Sequence, residues 1–365
     1  MMPPAPRVEE LLRSHIASGT FPGAVYLIAD PDRILAEGAL GMAVVDPERI
    51  PAGPETIYDL ASLTKPLSCA LLAVLQRAEG RLRLEDRLAD HLPGWDAADE
   101  RSAITLLDLL LHRSGLPAWD PLYIHAADRE TRIARINRLP LARPPGSEVV
   151  YSDLGYILLG FALERAGGAP LDRQFAERVA RPLGLAALQY RPAASLKRRI
   201  AATEKGNRRE MDLAGEEASR YNEWRTGVIW GEVHDHNAHT LGGVAGHAGL
   251  FGTARAVHAL AREFLMPRAL IDGKDDLDLF RTDRTPGLSQ ARAVGFQLAT
   301  TPGCSAGSAL AGASFGHVGT TGTSLWIDPE ARRIHVLLTN RVHPRFQEID
   351  MNAVRRAFHE VAATI

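Results

Sequence analysis

Residues 56–70 read TIYDLASLTKPLSCA, a β-rich stretch ending at Leu60 that runs straight into apolar residues at helical spacing from Leu67 to about Leu84. Inside it, Ser62, Leu63, Thr64 and Lys65 form S-x-x-K, which on a helix sets the hydroxyl and the amine on one face, one turn apart. Such a lysine takes the serine proton if it is held neutral, and the N-terminal amides of the helix can stabilise an oxyanion. With 15 serines and four lysines in 365 residues, roughly 0.16 such motifs are expected by chance. Pro66 lacks an N–H and its ring crowds the Ser62 carbonyl four residues back, so the turn carrying the serine should be distorted. The competing reading is a serine N-cap followed by a solvated lysine.

Outward from this stretch the chain divides by period. Val8, Leu11, Leu12 and Ile16 recur at helical spacing, and two β-rich runs, 24–29 and 34–40, flank the turn Asp30, Pro31, Asp32. A helix from Thr105 to His112 opens with Thr105 and Asp108 as a capping box and closes at Gly115. Another runs from Leu154 to Ala166 and stops at Gly167 and Gly168, and a further one covers 171–179. Residues 186–245 show little periodicity, and so long an irregular stretch in a compact domain is usually functional. Strand signals return at 294–300, 323–328 and 334–339 before a closing helix with Val354, Phe358 and Val361. Strands at both ends with helices between predict an α+β fold: one sheet built from the two termini, a helical insertion beside it, and a cleft at the seam.

Composition removes other classes. Forty-two basic and 44 acidic residues leave a net charge of -2 with no like-charge block, which disfavours nucleic acid or a membrane surface as partner. Cys69 and Cys304, with neither CxxC nor Cys/His spacing, argue against disulfide scaffolds and cysteine-ligated zinc. No apolar run of 18 residues appears, and the polar start after Pro3 and Pro4 has no signal-peptide pattern, so a cytoplasmic location is expected.

Two further segments could complete a site. Tyr151, Ser152, Asp153 opens a helix where a phenol could point toward Ser62, although Asp153 is also a good N-cap. Phe315 to Gly322 (FGHVGTTG) precedes a strand, and its small residues let a backbone edge approach a ligand. Three features compete. Gly303 to Gly307 matches G-x-S-x-G, which would make Ser305 a nucleophile, but no helical period follows it. His234, Asp235, His236 and His239 are metal-type side chains without ligand spacing, read as a solvated or hydrogen-bonded surface. His247 between Gly246 and Gly249 reads as a buried histidine or a substrate contact.

Together, S-x-x-K, then Tyr-Ser-Asp, then His317-Val318-Gly319 resemble the serine β-lactamase and penicillin-binding protein family, and nearest its class C-like branch, which includes esterases. The stretches 109–117 (LLLHRSGLP), 145–160, 241–253 and 315–329 carry the resemblance over most of residues 8–362. It implies a single catalytic unit over 8–362, with an α/β part (1–60 plus 290–365) and a helical part (61–289). It further implies Ser62 as acylated nucleophile, Lys65 as its base partner, Tyr151 as proton shuttle, and the backbone amides of Ser62 and Thr320 as oxyanion hole. Asp153, His317 and Gly319 would meet the substrate, with no cofactor and no metal. Two departures stand out: Asp153 replaces an asparagine and favours a protonated Lys65, and His317 replaces a lysine that meets a substrate carboxylate. The expectation is a serine hydrolase of small-molecule esters or cell-wall-related acyl groups. A β-lactamase or D-alanyl-D-alanine carboxypeptidase is the first alternative, and a non-catalytic penicillin- or muropeptide-binding protein the second.

Overall fold

The protein is described by a computed structural model covering residues 4–95 and 98–365. Helix α1 (Pro4–Ala17) leads into β1 (Gly23–Ala29), β2 (Ile34–Val44) and β3 (Ile50–Pro51). A small sheet follows from β4 (Tyr58–Asp59), β5 (Gln189–Tyr190) and β6 (Leu250–Gly252), with β6 in the middle. The chain then adds β7 (Gln297–Leu298), β8 (Phe315–Val318), β9 (Ser324–Asp328) and β10 (Arg333–Thr339). The main sheet is antiparallel in the order β3-β2-β1-β10-β9-β8-β7, so strands from the two ends of the chain pair at its centre, Ala24 opposite Thr339 and Ala29 opposite Ile334. This is the α+β sheet from both termini that the strand runs predict.

Strand β1 is buried along its whole length because helices cover both faces. Tyr26 and Ile28 pack with Val8 and Leu12 of α1 and with Val354 and Phe358 of the closing helix. Val25 and Leu27 point the other way, into the main core with Val336 and Leu338. Besides α1, the helices needed below are α2 (Leu71–Ala78), α3 (Asp153–Gly167), α4 (Ala254–Leu265) and α5 (Met351–Ala362). Helix α3 is apolar nearly all round, Leu154 through Leu163 being buried, and forms the axis of the helical insertion. Helix α4 packs on β1, β9 and β10, so the sheet layer also draws on residues within 61–289.

Some boundaries differ from expectation. The helix after Ser62 stops at Ala78, where Gly80 turns with φ +69°, and Leu82 and Leu84 stay buried outside it. The strand expected over 294–300 shrinks to Gln297–Leu298, because Gly295 (φ +77°) bends the chain and Ala293 N–H donates to Phe296 O at 3.0 Å.

At the seam, the β8–β9 turn fastens the segment leading to Ser62. Thr321 Oγ1 donates to Asp59 O at 2.8 Å and Thr323 Oγ1 to Leu60 O at 3.0 Å. Gly319 is required there, since a Cβ would collide with the Thr323 hydroxyl and lie 2.7 Å from Leu60 O. Gly319→Ala is therefore expected to destabilise by about 1–3 kcal/mol through overpacking, whereas Gly53→Ala, with nothing within 4 Å of the added methyl, should leave the midpoint unchanged. Thermal denaturation of both variants checks this; equal midpoints would show that the turn yields.

Candidate active site

The segment before Ser62 is held under strain. Leu60 N–H donates to Leu250 O at 2.9 Å, and Ala61 sits at φ +48°, a left-handed conformation that non-glycine residues rarely hold. Asp59 sustains it: one carboxylate oxygen accepts the Ala61 N–H at 2.9 Å and the other the His234 N–H at 2.7 Å. Burial still pushes the Asp59 carboxyl above the usual range, against those two donors.

Ser62 lies on a tight turn, 61–63, and the next turn, Lys65–Ala70, widens to π-helical spacing before α2 begins. This is the distortion expected from Pro66. The serine makes no capping bond, and Lys65 is fully buried, so the reading of an N-cap beside a solvated lysine fails. Lys65 Nζ donates to Ser62 Oγ and to His247 O, each at 3.1 Å, and lies 2.6 Å from Asp153 Oδ1. Burial favours the neutral amine, but Asp153 and the Tyr151 phenol outweigh it and hold the Lys65 pKa above the ordinary lysine value.

Asp153 is free for that pairing because Ser152 is the cap of α3, its Oγ accepting the Gly155 N–H at 3.1 Å. The competing reading of Asp153 as the helix cap is thus displaced by one residue. Nor does Asp153 line the pocket beside Ser62, where a substrate contact was expected.

Tyr151 stands beside the same pair, with Lys65 Nζ 4.9 Å from its ring centre, and both Lys65 and Ser62 act on its hydroxyl electrostatically. Burial raises its pKa, and Lys65 opposes the rise. The ring packs at a tilt against His112, 4.4 Å between centroids, with His317 at 5.8 Å and the Arg292 guanidinium at 5.7 Å. His112, itself at φ +58°, accepts the Ser152 N–H through Nδ1 at 3.0 Å and so fixes the peptide after the tyrosine. The pKa values of His112 and His317 fall well below the ordinary histidine range, first through burial and then through Arg292 and Lys65. His317 is therefore neutral and forms no cationic clamp.

Ser62, Tyr151, His317, Gly319 and Thr320 line one pocket of about 280 Å³, together with Arg292, Arg341 and Arg355. Gly319 has both backbone groups occupied, its N–H by Thr323 O at 2.8 Å and its carbonyl by Arg355 Nη2 at 3.0 Å, so it shapes the pocket wall. The three arginines escaped the sequence reading, as did Asp59 and His112, because none lies at a telling spacing. Only the HRSG stretch that includes His112 drew notice.

The competing features are accounted for by local bonding. Ser305 is buried, accepts the Trp326 Nε1–H at 3.0 Å and lies outside this pocket. Each residue of the histidine cluster has a different partner: His234 pairs with Glu204, His236 with Tyr221, and His239 with Glu232. Asp235 caps a short helix at Ala238 and pairs with His247 Nε2 at 2.9 Å, which orients the loop whose carbonyl meets Lys65. Among the described residues no helix is long and apolar enough to cross a membrane.

This half-buried hydroxyl and phenol around a buried amine can be compared with known proteins. A protein of Escherichia coli (strain K12) described as "Putative D-alanyl-D-alanine carboxypeptidase" is 33% identical over 358 residues, covering 88% of this chain and 79% of its own. Among solved structures, "EstCE1, a hydrolase with promiscuous acyltransferase activity" superposes with a TM-score of 0.75 at 22% identity, over 98% of each chain. A penicillin-binding protein homologue from Caulobacter crescentus superposes with a TM-score of 0.74 at 22% identity, over 100% of this chain and 98% of its own. The Beta-lactamase family model matches residues 8–359, nearly the whole chain. The chain belongs to the Beta-lactamase family, and with it to the hydrolases of that fold.

Proposed function

We propose that the protein is a serine acyl hydrolase that acylates Ser62 and acts on substrates with a carboxylate near the scissile bond, D-alanyl peptides first and simple esters second. The observation that carries this reading is the contact of Lys65 with both Ser62 Oγ and Asp153 inside the pocket wall. Ser62 Oγ attacks the acyl carbonyl, and its proton passes to Oη of the minor phenolate form of Tyr151, which the Lys65 ammonium favours against the burial that raises the phenol pKa. The carbonyl oxygen faces the backbone amides of Ser62 and Thr320. Tyr151 then protonates the leaving group, and water returns along the same path to release the acid.

The substrate class follows from charge. Arg292, Arg341 and Arg355 line the pocket, and none forms an ion pair among the described residues. Burial and Arg341 bring the Arg355 pKa down to about 9, so it remains a cation at neutral pH. Of the three guanidiniums, those of Arg292 and Arg355 provide what His317 lacks, a clamp for a carboxylate near the scissile bond. The carboxypeptidase-named relatives agree with this choice.

Intact-mass measurement with a fluorophosphonate should show one adduct, mapped to Ser62, and Ser62→Ala should lose both the adduct and turnover of an N-acyl-D-alanyl-D-alanine peptide. An adduct on Ser305, or stoichiometric binding of peptides and lactams with no turnover, would overturn the reading.

Asp153→Asn tests the proton path. Without the carboxylate, burial is less opposed and the Lys65 pKa falls, so the lysine discharges as pH rises and Tyr151 loses its counter-ion. The alkaline limb of kcat/KM should move to lower pH by about 1–3 units. A lowered melting point with an unchanged pH profile would reduce Asp153 to a structural partner.

A further inference from the structure

A second cavity, of about 960 Å³, is lined by Glu204, Asn207, Met211, Tyr221, Trp224 and Phe346. Phe346 stands where it adjoins the Ser62 pocket. The Arg341 guanidinium, which lines that pocket, lies 4.9 Å from the centre of the Phe346 ring, and the Arg209 guanidinium lies 4.2 Å from the same centre.

Two cations on one ring repel each other, and the attraction of each for the π face, about 0.5–1 kcal/mol, does not neutralise them. Neither has a carboxylate partner among the described residues. Burial and the charge of Arg209 together lower the Arg341 pKa to about 10, with no acid acting in the opposite direction. The two carboxylates lining the cavity are engaged elsewhere: Glu204 accepts from the Arg209 backbone N–H at 3.1 Å and pairs with His234 at 3.0 Å, while Asp212 pairs with Arg208 at 3.3 Å. Arg345, exposed on the same wall, also forms no ion pair among the described residues. Arg341 spends only Nε on the protein, donating to Thr320 O at 2.8 Å, and its terminal nitrogens make no bond among the described residues.

We propose that Arg209 and Arg341, meeting at Phe346, form an oxyanion subsite between the Ser62 pocket and the larger cavity, so that the substrate carries a second carboxylate or a phosphate away from the scissile bond. The inference rests on the acyl hydrolase reading for its orientation, with the substrate body continuing along Tyr221 and Trp224. Planar guanidiniums suit either anion, since both present oxygens to a two-pronged donor. Because Arg341 also holds Thr320, an anion bound there stiffens the strand edge beside the nucleophile.

The test measures binding, separate from turnover. Three N-acyl-D-alanyl-D-alanine peptides that differ only in a distal neutral amide, carboxylate or phosphate monoester are titrated calorimetrically into Ser62→Ala protein. The carboxylate and phosphate peptides should bind about tenfold more tightly than the amide, equivalent to roughly 1.4 kcal/mol, and their order identifies the preferred anion. Adding Arg209→Gln should abolish the advantage, and Arg209→Lys should restore part of it if the double variants keep the same melting point. Equal affinity for all three peptides, or an advantage that survives Arg209→Gln, would overturn the subsite. Turnover of the neutral peptide by wild-type protein judges the Ser62 reading separately, so the two can fail independently.

Discussion

A fully buried ammonium is the constraint around which this molecule is arranged. Lys65 has no contact with water, and an isolated charge so placed would cost several kcal/mol or be lost by deprotonation. It keeps its proton because three separate parts of the chain converge on it: the Ser62 turn, the first residue of α3 and the carbonyl of His247. Each contact explains a feature that otherwise looks incidental. The loop carrying His247 reaches the lysine because Gly246 sits against the α3 backbone near Tyr156 and Gly160, where a Cβ would collide with the Tyr156 carbonyl. Helix α3 presents Asp153 because the residue before it takes over the capping.

The electrostatics of the pocket then separate into two sets of charges. Beside the serine, charge is balanced one to one by Lys65 and Asp153, while His112 and His317 are kept neutral by burial and by the cations near them. Along the pocket wall, the guanidiniums of Arg292, Arg341 and Arg355 have no balancing acid among the described residues. A net charge of -2 over the chain gives no hint of this local excess.

What could be read from sequence was what is local. The Thr105–Asp108 capping box, the left-handed Gly168 after α3 and the widened turn at Pro66 depend on neighbours within a few residues, and all three stand where expected. Asp153 is also a good N-cap by residue type, since serine and aspartate suit that position about equally in isolation; the structure gives the cap to Ser152 and pairs Asp153 with a lysine far away in the chain. The backbone strain at Ala61 and His112 has no marker, since neither is glycine. Asp59, Arg292 and Arg341 act across the fold, and no period or spacing distinguishes them from solvated charges. The strand over 294–300 looked long because its apolar residues are buried, yet burial there comes from a bent chain.

The pairing of β1 with β10 has a temporal consequence. The bonds that hold the Ser62 turn come from Thr321 and Thr323, whose partners lie 262 and 263 residues earlier. During synthesis the serine and lysine therefore emerge long before the strands that align them, and the central edge of β1 stays open until β10 arrives. The nascent chain has an unpaired apolar strand to protect and an unfastened Ser62 turn, which is anchored only after the β8–β9 turn has been made. A chain that ends before Thr321 lacks both hydroxyls that fasten the Ser62 turn, which makes the alignment of Ser62 with Lys65 a late product of folding.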